Sequence, residues 1–213
     1  MEENTMMDRK AFYRLSSGLY LLSSTFEGKD SGCVVNTLLQ VTSQPAKLSV
    51  TVNKDNFTQQ IIEKAGVFSA VALNEQADMD LIGEFGFKTS REVDKFALFP
   101  HQRDENGVPY VAVQGAARFS CKVVDRLDVG THVIFVGEVV EAQVLEGEPM
   151  TYAYYQQVKK GGTPKNAPSY KALEGEGKGY RCKVCGYVLE SDTIPADYVC
   201  PICGQGRDQL EKL

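Results

Sequence analysis

The sequence holds only two histidines, His101 and His132, and neither has a carboxylate motif beside it. A histidine-based metallohydrolase, which needs several such ligands around an open metal position, is therefore not expected. Basic residues are not in excess: 23 lysines and arginines stand against 28 acidic residues, for a net charge of −5. Nucleic acid or an anionic membrane would call for a basic stripe, so neither partner is expected. No apolar run approaches the ~20 residues that cross a bilayer. The opening MEENTMMDRK lacks the basic-then-apolar order of a signal peptide, and a cytoplasmic setting is expected. Nor does a G-x-G-x-x-G join a strand to a helix. The GEGKG run at 175–179 follows no predicted strand and opens no helix, so any nicotinamide is used without a Rossmann domain. There is no internal repeat.

What is present is ordinary for a globular chain: 43% hydrophobic and 24% charged residues, over a length that allows one domain plus a small one. Thr5 to Leu15 reads as a short helix, with Thr5 and Asp8 in capping-box spacing. From Gly18 the chain turns β-rich. GLYLLSSTF, CVVNTLLQVT, KLSVTVN, VFSAVAL, AARFSCKVVDRL and THVIFVGEVVEAQVL are apolar, β-branched runs bounded by turn residues. The helical inserts are FTQQIIEKA, stopped by Gly66, and DMDLIGEF, stopped by Gly86. So many strands with such short helices predict a mainly β fold, an antiparallel barrel. After Tyr155 the chain becomes polar and rich in Gly and Pro. A boundary is placed near Ala172, giving a first domain of 1–172, a linker of 173–179 and a second domain of 180–213.

The second domain carries Cys182, Cys185, Cys200 and Cys203 as C-x2-C-x14-C-x2-C. Each C-x-x-C turn can aim two sulfurs at one point, with Gly186 and Gly204 letting the backbone fold around it. Two facing turns make a tetrahedral four-thiolate site, suited to iron or zinc. Disulfides are the bland alternative, and nothing in the sequence suggests an oxidising compartment. Cys33 and Cys121, far apart and without a partner motif, read as buried free thiols.

Three stretches of the first domain carry polar chemistry. Asn53, Lys54, Asn56 and Thr58 run from a strand into a helix; Asn56 or Thr58 can cap that helix. Its free N–H groups, with Lys54 beside them, suit a phosphate monoester. A capped surface helix with a nearby lysine is the alternative. Asn36, Thr37, Leu38, Leu39 and Gln40 lie within an otherwise apolar strand, at a bulge or facing a ligand ring. Lys88, Ser90 and Arg91, in GFKTSREVDKF, offer a second phosphate contact from a loop.

Tyr180–Tyr187 and Ile194–Gly204 resemble the rubredoxin family, which implies one redox-active iron on the four cysteines. The insert between the pairs is short, as in rubredoxin-like modules fused to other proteins. Tyr198 and Leu210 stand where larger aromatics are common, and a zinc ribbon is the alternative. The order GLYLLSS, SGCVVNTLLQVTSQPAKLSVTVNKDNFT, GFKTSREVDKF, DVGTHVIFVGEVV resembles the flavin reductase-like proteins over about Phe12 to Tyr170. That resemblance implies an FMN-binding split barrel, a homodimer, and NADH or NADPH as donor. It implies that residues 36–40 line the flavin ring, that 53–58 hold its phosphate, and that 88–91 lie near phosphate or nicotinamide. The tyrosines of TYAYYQQVKKGGTPKNAPSY would approach the flavin across the dimer. His132 opens a strand where the family also carries a histidine; a hydrogen-bonded structural role is weighed equally.

Joined in this order, the two modules resemble the high-molecular-weight rubredoxins. The resemblance implies a relay from NAD(P)H to FMN to iron, and on to a redox partner protein, a flavodiiron oxygen or nitric oxide reductase. No covalent or acid–base catalysis is required; the chain positions and tunes cofactors. Two other classes are weighed: a reductase releasing free reduced flavin beside a structural zinc ribbon, and a non-enzymatic interaction module.

Overall fold

Glu27 and Gly28 both take positive φ, 49° and 77°, which is the geometry of a tight primed hairpin turn. They join β1 (Tyr20–Phe26) to β2 (Lys29–Val35). The computed structural model describes residues 9–159 and 179–213. β3 (Leu39–Ser43) and β4 (Ala46–Asn53) form a second hairpin, and α1 (Phe57–Ala65) leads to β5 (Val67–Leu73). α2 (Met79–Phe87) is followed by a small pair, β6 (Gln102–Arg103) and β7 (Pro109–Tyr110), then by the long strands β8 (Gly115–Asp128) and β9 (His132–Val144). α3 (Tyr152–Gln157) closes this unit.

The main sheet is antiparallel with the order β2-β1-β5-β8-β9-β4-β3. Its two outermost strands, β2 and β3, are joined directly by Asn36–Leu38. Seven flat strands would hold those edges about 29 Å apart, at about 4.8 Å per spacing. The connection reaches at most about 14 Å. The sheet must therefore curl until its edges meet. Among the described residues no ladder joins β2 to β3, so the result is a barrel split along one seam.

Alternation along the strands fills both sides of the wall. Leu22, Val50, Val52, Phe68, Ala70 and Phe135 pack inside, with Ile62 of α1. Leu21, Val71 and Leu73 face outward and are covered by Leu81, Ile82 and Phe85 of α2. Two buried faces explain why β1 and β5 read as unbroken small-and-apolar runs.

The expected helices form with small differences. α1 is capped by Asn56 and ends at Gly66 with φ 68°. α2 is capped by Asp78, whose side chain accepts from Leu81 N at 2.9 Å. Gly86 does not stop it; the helix runs through Phe87, and extended Lys88 ends it. The helix expected over 5–15 is a 3-10 segment at Arg9–Arg14, and the Thr5–Asp8 cap lies outside the described residues. The run CVVNTLLQVT is not one strand: it contributes to both barrel edges and breaks at Asn36–Leu38. The boundary near Ala172 and nearly all of the 173–179 linker lie outside the described residues.

The second unit is a three-stranded sheet, β11 (Val188–Leu189), β10 (Tyr180–Cys182), β12 (Leu210–Lys212), under two cysteine turns. Its apolar cluster is the four cysteines with Leu210, ringed by Tyr180, Tyr187 and Tyr198, and Phe87 of α2 packs against it.

Candidate functional site

Each cysteine turn is closed by a glycine N–H. Gly186 donates to Cys182 O and Gly204 to Cys200 O, both at 2.9 Å. All four thiols are free, buried, and within 4.8 Å of one another. Cys182 and Cys203 sulfurs are 3.6 Å apart, and those of Cys185 and Cys200 are 3.5 Å apart. A tetrahedral metal with bonds of about 2.3 Å sets sulfurs about 3.8 Å apart, so one ion fits and disulfides do not.

Backbone donors surround the sulfurs. Burial alone would push the Cys200 thiol up, yet N–H groups of Cys203 and Ile202, with the neighbouring thiols of Cys185 and Cys203, together bring it below its ordinary value. Burial raises Cys185 strongly, against an N–H from Tyr187. Burial likewise raises Cys203 to about 12, opposed by Gln205 N–H. Such donors stabilise thiolate charge once a metal replaces the protons.

One of these ligands borders a second feature, a cavity of about 510 Å³. Its walls are Asp55–Phe57 at the mouth of α1 and Phe85–Ser90 at the end of α2. Cys33 and Lys95 lie at its base, and Val184, Cys203 and Gln205 of the second unit close it on the far side. Lys95 is 2% exposed and donates to Gly32 O at 2.8 Å and Phe85 O at 3.1 Å. Burial lowers its ammonium to about 8, although Cys33 and Glu84 counteract this. Burial pushes the Cys33 thiol up, while Lys95, Thr58 and Asn56 pull the other way.

Among the residues expected to hold phosphate, Asn56, Lys88 and Ser90 line this cavity. Asn56 spends its oxygen on the cap, accepting from Thr58 N at 2.9 Å. Lys88 reaches Glu84 at 2.5 Å, and Ser90 Oγ accepts from Gly32 N at 3.2 Å. Thr58 is buried instead, its hydroxyl 2.9 Å from Ser31 Oγ. Lys54 pairs with Asp128 at 2.6 Å away from the lining. Asn53 Oδ1 accepts from Asp55 N at 2.8 Å. Arg91 stacks 4.8 Å over Phe57 and bonds Gln60.

The 36–40 stretch is not gathered to the cavity. Thr37 donates to Thr51 O at 2.6 Å, Leu38 packs in the barrel, Leu39 is 68% exposed, and Gln40 reaches only Thr42 O. Asn36 sits beside them at the seam. The polar residues mark the seam of the barrel, where one strand ends and the next begins on the other edge. His132 Nδ1 lies 2.8 Å from Thr131 Oγ1, on the β9 side, and does not line the cavity. His101 meets Phe96 edge to face, with centroids 5.4 Å apart. Among the tyrosines of the last stretch, Tyr155 is buried in the outer core; positions 160–170 lie outside the described residues.

Lys95, Cys33 and Phe87 do not stand out from the sequence as site residues. Lys95 is buried in the structure beside Phe96 in a 3-10 turn capped by Asp94, and a lysine after an aspartate carries no local sign of that burial.

A split barrel with a polar cavity, bordered by one ligand of a buried four-thiol centre, is the arrangement of an electron-transfer protein built from two units. Residues 12–163 match the flavin reductase like domain, and residues 180–211 match the rubrerythrin, rubredoxin-like domain. The chain belongs to the flavin reductase-like family and carries a C-terminal rubredoxin-like domain. It is 39% identical to high molecular weight rubredoxin of Moorella thermoacetica, over 97% of this chain and 100% of that one. It is 42% identical to a ferric-chelate reductase (NAD(P)H) of Archaeoglobus fulgidus, over 77% of this chain and 98% of that protein. In fold it matches flavoredoxin from Methanosarcina acetivorans, with TM-score 0.57 and 24% identity over 70% of this chain and 80% of that one. It also matches an FMN-binding protein from Thermus thermophilus, with TM-score 0.59 and 22% identity over 68% and 79%. Among the described residues no helix is long and apolar enough to cross a membrane.

Proposed function

We propose that this chain passes electrons from NADH or NADPH through FMN to one iron held by Cys182, Cys185, Cys200 and Cys203. From there they go to a redox partner protein, a flavodiiron oxygen or nitric oxide reductase. Residues 1–172 form the flavin unit, 173–179 tether it to residues 180–213, and the protein works as a cytoplasmic homodimer. The observation that carries this reading is the shared cavity: Cys203, one of the four thiols, borders the space that Asn56, Lys88, Ser90 and Lys95 also line.

A flavin bound here would supply the conversion from paired to single electrons. The chain's own residues do the rest. The mouth of α1 and the Lys88–Ser90 turn present N–H, hydroxyl and ammonium groups to a phosphate. Lys95 adds a buried cation at the base of the same space. On the other side, N–H donors from Tyr187, Ile202, Cys203 and Gln205 offset thiolate charge, which favours the more negative, reduced state of an iron centre. The likeness to a ferric-chelate reductase (NAD(P)H) supports a nicotinamide donor, and the likeness to high molecular weight rubredoxin supports an iron carrier.

Absorption spectra of protein purified without air, before and after NADH, test the reading. Flavin and iron bands are expected together, both bleaching with NADH. A flavin that washes off and a colourless four-thiol site would support a free-flavin reductase with a zinc ribbon instead.

A further inference from the structure

We propose that Gly83 is a positioning residue for electron transfer: it is the socket in which the second unit seats against its own subunit's α2. This rests on the relay reading above. Gly83 lies within α2 and is buried. A Cβ built there would meet the carbonyl oxygen of Ile202 at 2.7 Å, closer than real Cβ atoms come to anything. Glycine is a poor residue for a helix interior, where alanine serves better. At this position the missing side chain has a use, because the second unit's backbone occupies its place.

Ile202 lies between two ligands. Its N–H donates to Cys200 sulfur, while its carbonyl rests on Gly83. One residue thus touches the metal centre on one side and α2 on the other. One helical turn on, at i+4 and hence on the same face, Phe87 packs against the four-cysteine cluster. Together these two contacts hold Cys203 at the rim of the cavity. The geometry assigns Cys203 as the ligand through which iron receives its electron. The step is a single-electron transfer: bound reduced flavin is oxidised by one electron, one ferric ion becomes ferrous, and no bond forms or breaks between the units.

A methyl group at 83 should strengthen the helix and lift the second unit away. In full-length, flavin- and iron-loaded Gly83→Ala, iron content, both reduction potentials and the NADH-to-flavin rate should match the parent. The flavin-to-iron rate should fall severalfold, because electron transfer between the units weakens with the distance between them. Asp80→Ala, exposed on the same helix, should leave every quantity unchanged. A second measurement needs no variant. Stripping the metal from the parent chain unfolds a unit of this size. Amides of residues 83–87 should then exchange hydrogen faster, while those of α1 stay protected. An unchanged flavin-to-iron rate in Gly83→Ala, or unchanged exchange at 83–87 after metal removal, overturns the docking assignment and leaves the relay standing. Iron that is reduced in the parent without flavin overturns the relay, while the exchange result still reports whether the unit sits on α2.

Discussion

The ammonium of Lys95 donates to the carbonyl of Gly32 at 2.8 Å, fastening the chain after α2 to β2 across the base of the cavity. Burial holds this lysine at about 8, so near neutral pH it is charged and above that it is neutral. An anionic phosphate in the cavity favours the charged form and raises the bound-state pKa. FMN binding should therefore take up protons near pH 8 and weaken as pH rises from there toward the raised value. Calorimetry in buffers of different ionisation enthalpy reads the proton uptake. Lys95→Met should abolish it. Proton uptake that is the same for riboflavin would separate Lys95 from the phosphate.

Lys88 and Lys54 should part company. Lys88 lines the cavity, and losing a charge-assisted bond there costs about 1.5–3 kcal/mol, or about tenfold to a hundredfold in FMN affinity. Both lysines are ion-paired, Lys88 with Glu84 and Lys54 with Asp128, so what separates them is place: Lys54 does not line the cavity. Lys54→Ala should leave FMN titrations nearly unchanged, and riboflavin should be indifferent to both substitutions. Equal losses for the two variants would move the phosphate to the α1 side.

Cys200→Ser should remove the iron spectrum and unfold residues 179–213, since so short a segment folds only around its metal. Flavin content should stay near one per chain, because the α1 mouth and the Lys88–Ser90 turn belong to the barrel unit. Metal analysis beside flavin fluorescence checks both. A variant that kept a full equivalent of iron would contradict four-thiolate ligation.

How much of this is legible in the sequence follows from the range of each signal. The cysteine pairs and both helices are local patterns, and they stand where expected. Asn56 is readable as a cap because a cap bonds two residues away. The barrel seam is not readable. Ser31, Gly32 and Cys33 are buried in succession, so β2 shows no alternation that would mark its end. Asn36 and Thr37 therefore look like a bulge within one strand rather than the break between β2 and β3. The pairing of Lys54 with Asp128 is not readable either, because the two lie 74 residues apart. Gly86 looks like a helix stop, but an α2 packed on the barrel carries it through to Phe87. Gly83 gives no local signal, since only the fold brings Ile202 over it.

The most direct test of the central claim is anaerobic stopped-flow mixing of the full-length protein with NADH, following flavin and iron bands separately. Flavin should bleach first, and iron should follow with a first-order rate that does not change with protein concentration. Tethering places the second unit near the flavin at about millimolar effective concentration. The same units separated within 173–179 and mixed at micromolar concentration should therefore react more slowly, at a rate that rises with concentration. Iron bleaching in flavin-free protein, or an equal rate after the chain is severed, would contradict the relay.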